Sequence, residues 1–219
     1  MSSMGIGTGC LEVTKLEEFG VFGGTNLLEV GCGDGRITAQ LAENATCLVA
    51  VDPSEKDLLN AACRVDKVLF SRASGVQLPF ADRSFDTVLF TLSLHHQDSR
   101  LALKEAGRVV APDGRILVME PAVDGEAQQL FHFFEEETAA LESAMAAIVD
   151  SPFRVMQATQ FEADWQFNSK HEFSRYMFVY HDLTWNAQTE AGLFHQLGRK
   201  AADRPLVLKD KLTLLCLSA

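Results

Sequence analysis

Short runs that are apolar throughout, each followed by a helical pattern, constrain this chain more than any other feature. Leu27, Leu28 and Val30 form the first run, which ends in glycines, and residues 47–51 form the second, which ends at Asp52. Further runs cover residues 65–70, 85–92 and 115–119. Strands that do not alternate polar with apolar positions are those buried on both faces, as in a parallel sheet lying under two layers of helix. Helices are expected over residues 36–44, over 54–62 and over 100–110, where Leu101, Leu103, Ala106 and Val109 recur. Ser54 suits the cap of the second, because its hydroxyl can accept from a free amide of the first turn. Pro112-Asp113-Gly114 reads as the turn that launches the fifth strand. Strand–helix–strand order with right-handed crossovers gives a doubly wound α/β domain.

The pattern changes after Pro121. The spacing predicts one long helix over 128–149, with Leu130, Phe134, Leu141, Met145 and Ile148 on one stripe and Glu135, Glu136 and Glu137 as a solvated charge run. A strand follows over 161–167, then a helix carrying Phe173, Tyr176, Met177 and Tyr180, a helix over 187–201 and a closing strand over 212–217. The four aromatic and sulfur side chains could wall an apolar substrate, but core packing is the ordinary role of such a stripe. The whole is expected to be one domain over 1–219. Residues 1–25 carry an amino-terminal helix or lid, with the helix over 11–19. Residues 26–121 form the cofactor-binding half, and 122–219 the helical cover, inserted after strand five, with the final strands.

Gly31-Cys32-Gly33-Asp34-Gly35 follows the first run directly. A glycine-rich turn between a first strand and a first helix lets backbone approach a ligand closely. In an open α/β sheet, ligands sit beyond the carboxyl ends of the strands, at the switch point. Two cofactors compete for this turn. The dinucleotide fingerprint is G-x-G-x-x-G, with the pyrophosphate on the helix amino end; here the spacing is G-x-G-x-G, and Arg36 stands where the third glycine belongs. Glu29, two residues before Gly31, would repel a pyrophosphate and attract a ligand bearing an ammonium and a sulfonium, as S-adenosylmethionine does. Asp52 ends the second strand 19 residues after Gly33, where an acidic side chain accepts from ribose hydroxyls.

Nineteen Lys plus Arg against thirty Asp plus Glu give a net charge of −11, which disfavours a phosphate-backbone partner. The five cysteines, Cys10, Cys32, Cys47, Cys63 and Cys216, are odd in number and form no C-x-x-C pair, so they read as reduced thiols. Residues 1–10 do not read as a secretory signal, and no run approaches the ~18 apolar residues of a membrane span. The expectation is a cytoplasmic domain, monomer or homodimer, with no nucleic acid and no membrane span. The histidines show no metal-binding spacing, so no metal is expected.

Taken together, the segments Leu28-Glu29-Val30-Gly31-Cys32-Gly33-Asp34-Gly35, Val51-Asp52, Leu78-Pro79-Phe80 before Ser84-Phe85-Asp86-Thr87-Val88, Ser93-Leu94-His95-His96, and residues 105–115 make the chain resemble class I S-adenosylmethionine-dependent methyltransferases. The resemblance is to the type 11 branch, which includes the ubiquinone/menaquinone C-methyltransferases, and it covers residues 26–121 well. It implies a Rossmann-like, mostly parallel seven-stranded sheet, S-adenosylmethionine as cofactor with S-adenosylhomocysteine as product, and a small-molecule methyl acceptor. It also implies that Gly31 and Gly33 approach the methionine part, that Cys32 and Gly35 of the same turn bind the cofactor, and that Glu29 orders its amino group directly or through water. Asp52 would hold the ribose, Pro53, Ala73 and Ser74 would flank the adenine, and Thr91 and Leu92 would line the methyl-donor pocket. Ser74 departs from the aspartate the family commonly has there; a hydroxyl accepts a hydrogen bond less strongly than a carboxylate. The amino terminus is also shorter than in many relatives.

Methyl transfer from a sulfonium needs a general base only where the acceptor atom must lose a proton. His95 and His96 lie just past strand four, and an extended chain there would point them to opposite faces. His95 is the candidate base, set against an ordinary structural histidine. A non-catalytic cofactor-binding or regulatory module with the same fold is the alternative to an enzyme.

Overall fold

A computed structural model describes residues 10–20 and 25–218; residues 1–9 and 21–24 of the expected amino-terminal helix or lid, and the Cys10 side chain, lie outside the described residues. The order is α1 (Cys10–Phe19), β1 (Asn26–Val30), α2 (Thr38–Asn44), β2 (Cys47–Asp52), α3 (Glu55–Arg64), β3 (Leu69–Arg72), β4 (Phe85–Thr91), a 3-10 turn (Leu94–His96), α4 (Ser99–Val109), β5 (Val110–Pro121), α5 (Glu126–Phe131), α6 (Thr138–Val149), β6 (Arg154–Phe167), α7 (Lys170–Tyr180), α8 (Ala187–Leu197) and β7 (Leu206–Ser218).

The seven strands form one sheet in the order β3-β2-β1-β4-β5-β7-β6. The pairings of β1 with β2 and β4, of β2 with β3 and of β4 with β5 are parallel, so the sheet is the mostly parallel one expected from the unbroken apolar runs. From β1 the chain winds outward through β2 and β3, and from β4 it winds the other way through β5. The switch point therefore lies between the carboxyl ends of β1 and β4.

The chain divides into two compact units. The larger draws its described residues from Gly9–Glu120, Ala140–Gln160 and Thr213–Ala219, and the smaller from Pro121–Ala139 and Phe161–Leu212, so the division falls at the end of β5, near the start of α6 and within β6 and β7. In the larger unit, Leu28, Val30, Val88, Phe90, Ile116 and Val118 of the sheet are buried with Ala102, Ala106 and Val109 of α4. Asp98 caps α4 by accepting from the Leu101 amide at 3.0 Å, and Ser54 caps α3 as expected, from the Asp57 amide at 3.2 Å. Arg108 donates to the carbonyls of Leu78 and Phe80 and to Asp82 and Glu105, while Glu105 accepts from the Leu78 amide. That clamp explains why Leu78-Pro79-Phe80 and Glu105…Arg108 stand together in the sequence, and Arg108 holds the Glu105 carboxyl down to about 2.

In the smaller unit, Phe173 and Met177 are fully buried with Trp165, Phe167, Leu193 and Leu208, so core packing is the role of this stripe. Tyr180 is exposed and stacks on Tyr176 at 5.8 Å.

The single helix expected over 128–149 is two helices. α5 stops at Phe131 and α6 starts at Thr138, where the Glu136 carboxylate accepts from the Thr138 amide at 2.9 Å. Three consecutive like charges suit the amino end of a helix, where the dipole is positive, better than its interior. The apolar stripe also serves two cores: Leu130 and Phe134 pack in the smaller unit, Met145 and Ile148 in the larger.

Candidate active site

The carboxyl ends of β1, β2 and β4 are tied together through backbone and hydroxyl groups. The amides of Gly31 and Cys32 both donate to the Val51 carbonyl, at 2.8 and 3.1 Å, which folds the glycine turn back over β2. The Gly33 amide donates to Asp52 Oδ2 at 2.9 Å, and Asp52 Oδ1 accepts from the Ser54 amide at 2.8 Å. Ser93, just beyond β4, donates its hydroxyl to the Val30 carbonyl at 2.5 Å.

The glycines serve different ends. At Gly31 φ is +78°, and a Cβ there would sit 2.5 Å from Cβ of Ser93, so this glycine admits β4's exit segment. At Gly33 φ is +53°, and a Cβ would meet nothing within 4 Å. The open side of Gly33, bordered by Asp52, is where the turn can receive a ligand. Gly35 answers to packing, since its Cβ would lie 2.8 Å from Cβ of Ala61 on α3.

Glu29 has no exposed surface. Its carboxylate accepts from Thr38 Oγ1 at 2.6 Å and from Thr91 Oγ1 at 2.7 Å. Burial pushes its carboxyl up to about 7, against the pull of the two hydroxyls and of Arg36. Direct contact with a ligand is closed to it in this conformation. Thr91, expected at the methyl-donor pocket, turns its hydroxyl onto Glu29. Leu92 follows with φ +58°, a left-handed conformation that costs a bulky residue ~1–2 kcal/mol, and its amide donates to the Met119 carbonyl at 2.8 Å.

Cys32 is buried and its thiol is pushed far up by that burial, with Glu29 and Asp52 adding to the shift, so it fills the turn without being reactive. Cys32, Cys47, Cys63 and Cys216 are all free thiols. Pro53 is exposed at the end of β2, and its carbonyl accepts from Arg72 Nε at 3.0 Å. The Ala73 amide donates to the Asp52 carbonyl at 3.2 Å, which brings the β3 exit beside the β2 exit. The Ser74 hydroxyl accepts from the Val76 amide at 3.4 Å, turned back on its own loop.

His95 is buried, but not in an extended chain. Residues Leu94–His96 make a 3-10 turn, and the His95 and His96 rings lie 3.9 Å apart instead of on opposite faces. His95 Nδ1 is hydrogen-bonded to Glu120 Oε2, and Glu120 Oε1 accepts from the Leu94 amide at 2.7 Å.

Sequence reasoning gave no role to Thr38, Ser93 or Glu120, although Ser93 stands in one of the quoted segments. Glu120 carried a usable signal: it stands next to last in an apolar strand just as Glu29 does in β1, two strands away in the sheet. Arg36, the residue that broke the dinucleotide fingerprint, donates to Glu12 of α1 at 2.7 Å. A separate cleft of 480 Å³, lined by Leu103, Lys104, Gly107 and Phe153 among others, shares no residue with this group.

The rim therefore offers an open glycine backbone, an accepting carboxylate at the end of β2, and a second, buried carboxylate behind both. This donor set fits a nucleoside with a cationic tail better than a diphosphate.

Comparison with known proteins agrees with that geometry. Residues 28–118 match the family model described as a methyltransferase domain. The 27-O-demethylrifamycin SV methyltransferase of Amycolatopsis mediterranei is 34% identical over 122 residues, covering 49% of this chain and 45% of that protein. The demethylmenaquinone methyltransferase of Corynebacterium glutamicum is 39% identical over 99 residues, covering 44% and 42%. The chain thus spans less than half the length of these two curated relatives. The solved structure of a geranyl diphosphate methyltransferase in complex with SAM shares the fold, with a TM-score of 0.62 at 15% identity over 96% of this chain and 84% of that one. Residues 28–118 belong to the type 11 methyltransferase family, a branch of the class I S-adenosylmethionine-dependent methyltransferases.

Proposed function

We propose that the protein transfers a methyl group from S-adenosylmethionine to a small-molecule acceptor. The observation that carries this reading is the glycine turn closed onto Val51 and Asp52, with the side of Gly33 left open and Glu29 buried behind it. In this reading Gly31, Cys32, Gly33 and Gly35 shape the cradle for the methionine part, and Asp52 accepts from the ribose hydroxyls with the lone pairs its two amide bonds leave over. Pro53, Ala73 and Ser74 border the adenine, and Thr91 and Leu92 border the methyl-donor end. The cofactor supplies an activated methyl group, so the chain's own work is to position the acceptor and exclude water. In this reading residues 26–121 form the cofactor half, and 122–219 the helical cover and the final strands.

Among the described residues no helix is long and apolar enough to cross a membrane. We read the protein as cytoplasmic, monomeric or homodimeric, and without a nucleic-acid partner, supported by its free thiols and its net charge of −11.

Asp52→Ala is expected to weaken S-adenosylmethionine binding by about 1–3 kcal/mol, the scale of a charge-assisted hydrogen bond, when measured by calorimetry. Unchanged affinity would remove the ribose assignment. Methyl transfer itself is tested by incubating the protein with methyl-labelled S-adenosylmethionine and a panel of small hydroxyl, amine and thiol compounds; label in an acceptor supports the reading. A protein that binds the donor and never turns it over supports the regulatory-module alternative.

A further inference from the structure

The turn that ends α6 brings a phenyl ring back across α4 and opens a cleft within the larger unit. Ser151 donates its hydroxyl to the Ile148 carbonyl at 2.7 Å, and its oxygen accepts from the Phe153 amide at 3.4 Å. That bend lays the Phe153 ring over Gly107 of α4, where a Cβ would sit 2.5 Å from Cζ of the ring. Beside the ring lies the cleft of 480 Å³, and Leu103 and Ala147, both buried, give it an apolar floor. Its volume falls within the ~300–1,000 Å³ of small-molecule sites. The lining comes from residues 100–108 of α4 and 147–153 after it in the chain, and none of it belongs to the glycine turn.

Arg100, Lys104 and Arg108 recur at every fourth position along α4, so they share one face of the helix, and all three border the cleft. Two of them are committed. Arg100 Nη2 pairs with Asp150 Oδ2 at 2.6 Å, and Arg108 bonds Glu105, Asp82 and the carbonyls of Leu78 and Phe80. Lys104 is exposed and makes no hydrogen bond or ion pair among the described residues. Asp150 is the one carboxylate in the lining, and Arg100 holds it. In a chain of net charge −11, an apolar cleft rimmed by cations stands out from the surrounding surface. We infer that this cleft binds a small carboxylate with an apolar tail, the tail lying against Leu103, Ala147 and Phe153 and the carboxylate meeting the Lys104 ammonium. One uncommitted ammonium suits a singly charged head, whereas a dianionic phosphate calls for several donors. The site is separate from methyl transfer and stands or falls independently of that reading.

Calorimetric titration with octanoate tests it, with butanoate as the control for the tail and octylammonium as the control for the head. Wild type is expected to bind octanoate about tenfold or more tightly than butanoate, because each methylene taken fully out of water strengthens binding up to about fourfold. It should prefer octanoate to octylammonium by about threefold or more, the scale of a partly solvated charge pair. Lys104→Glu changes an exposed side chain and should reverse that head preference, and Lys104→Gln should remove most of it. In assigned amide spectra, Gly107 and Phe153 should shift on titration with octanoate. Any one of four results overturns the proposal: no saturable binding of octanoate below about 5 mM; equal affinity of wild type for octanoate and octylammonium; a head preference that Lys104→Glu leaves unchanged; or amide shifts confined to residues outside the cleft.

Discussion

Gly31→Ala is expected to cost about 2–5 kcal/mol of folding stability, and Gly33→Val about 2 kcal/mol while abolishing cofactor binding. Both residues have positive φ, +78° and +53°, so any side chain pays the left-handed penalty of about 1–2 kcal/mol. They part over what a Cβ would meet. At Gly31 it would lie 2.5 Å from Cβ of Ser93, and Ser93 cannot swing aside without giving up its hydrogen bond to the Val30 carbonyl. Overpacking of this kind adds about 1–3 kcal/mol. At Gly33 the space is open, so the fold tolerates the change and the cofactor does not. Denaturant unfolding and calorimetric titration of both variants check the pair. A Gly33→Val protein with full affinity for S-adenosylmethionine would contradict the cradle.

Glu29→Gln should remove a pH dependence of stability worth about 3 kcal/mol. The Glu29 carboxyl is raised by burial from 4.5 to about 7 in the folded protein, so the folded state holds the proton more tightly than the unfolded chain. The stability this contributes is complete below about pH 4.5 and is lost as pH rises through 7, because an ionised carboxylate must then be kept in a site with no exposure. The variant should therefore lose less stability than wild type between pH 5 and 8. The glutamine fits, because the hydroxyls of Thr38 and Thr91 can each donate or accept. A cationic ligand nearby favours the ionised form, so the affinity advantage of wild type over the variant for S-adenosylmethionine should grow from pH 6 to 8. Parallel pH profiles for the two proteins would show that Glu29 does not titrate in this window.

The strands and turns over residues 26–121 were legible because their signals are local. An apolar run followed by glycines, a strand-ending Asp52 and a capping Ser54 each announce themselves within a few residues, and the parallel pairings follow from them. What stayed hidden depends on distant partners. Thr91 meets Glu29 across 62 residues, Ser93 meets Val30 across 63, and His95 meets Glu120 across 25. No spacing rule joins such positions. The residues after strand four suit either an extended or a turned form, and the Glu120 contact holds them as a 3-10 turn. The helix break at Glu136 was masked by an apolar stripe whose two halves enter different cores.

The central claim is that this acidic, glycine-lined rim admits a nucleoside with a positively charged tail and refuses a diphosphate. Calorimetric titration of the wild-type protein with S-adenosylmethionine and, separately, with NAD measures that choice directly. The account predicts saturable one-to-one binding of S-adenosylmethionine and none of NAD; tight binding of NAD with no heat from S-adenosylmethionine would contradict it.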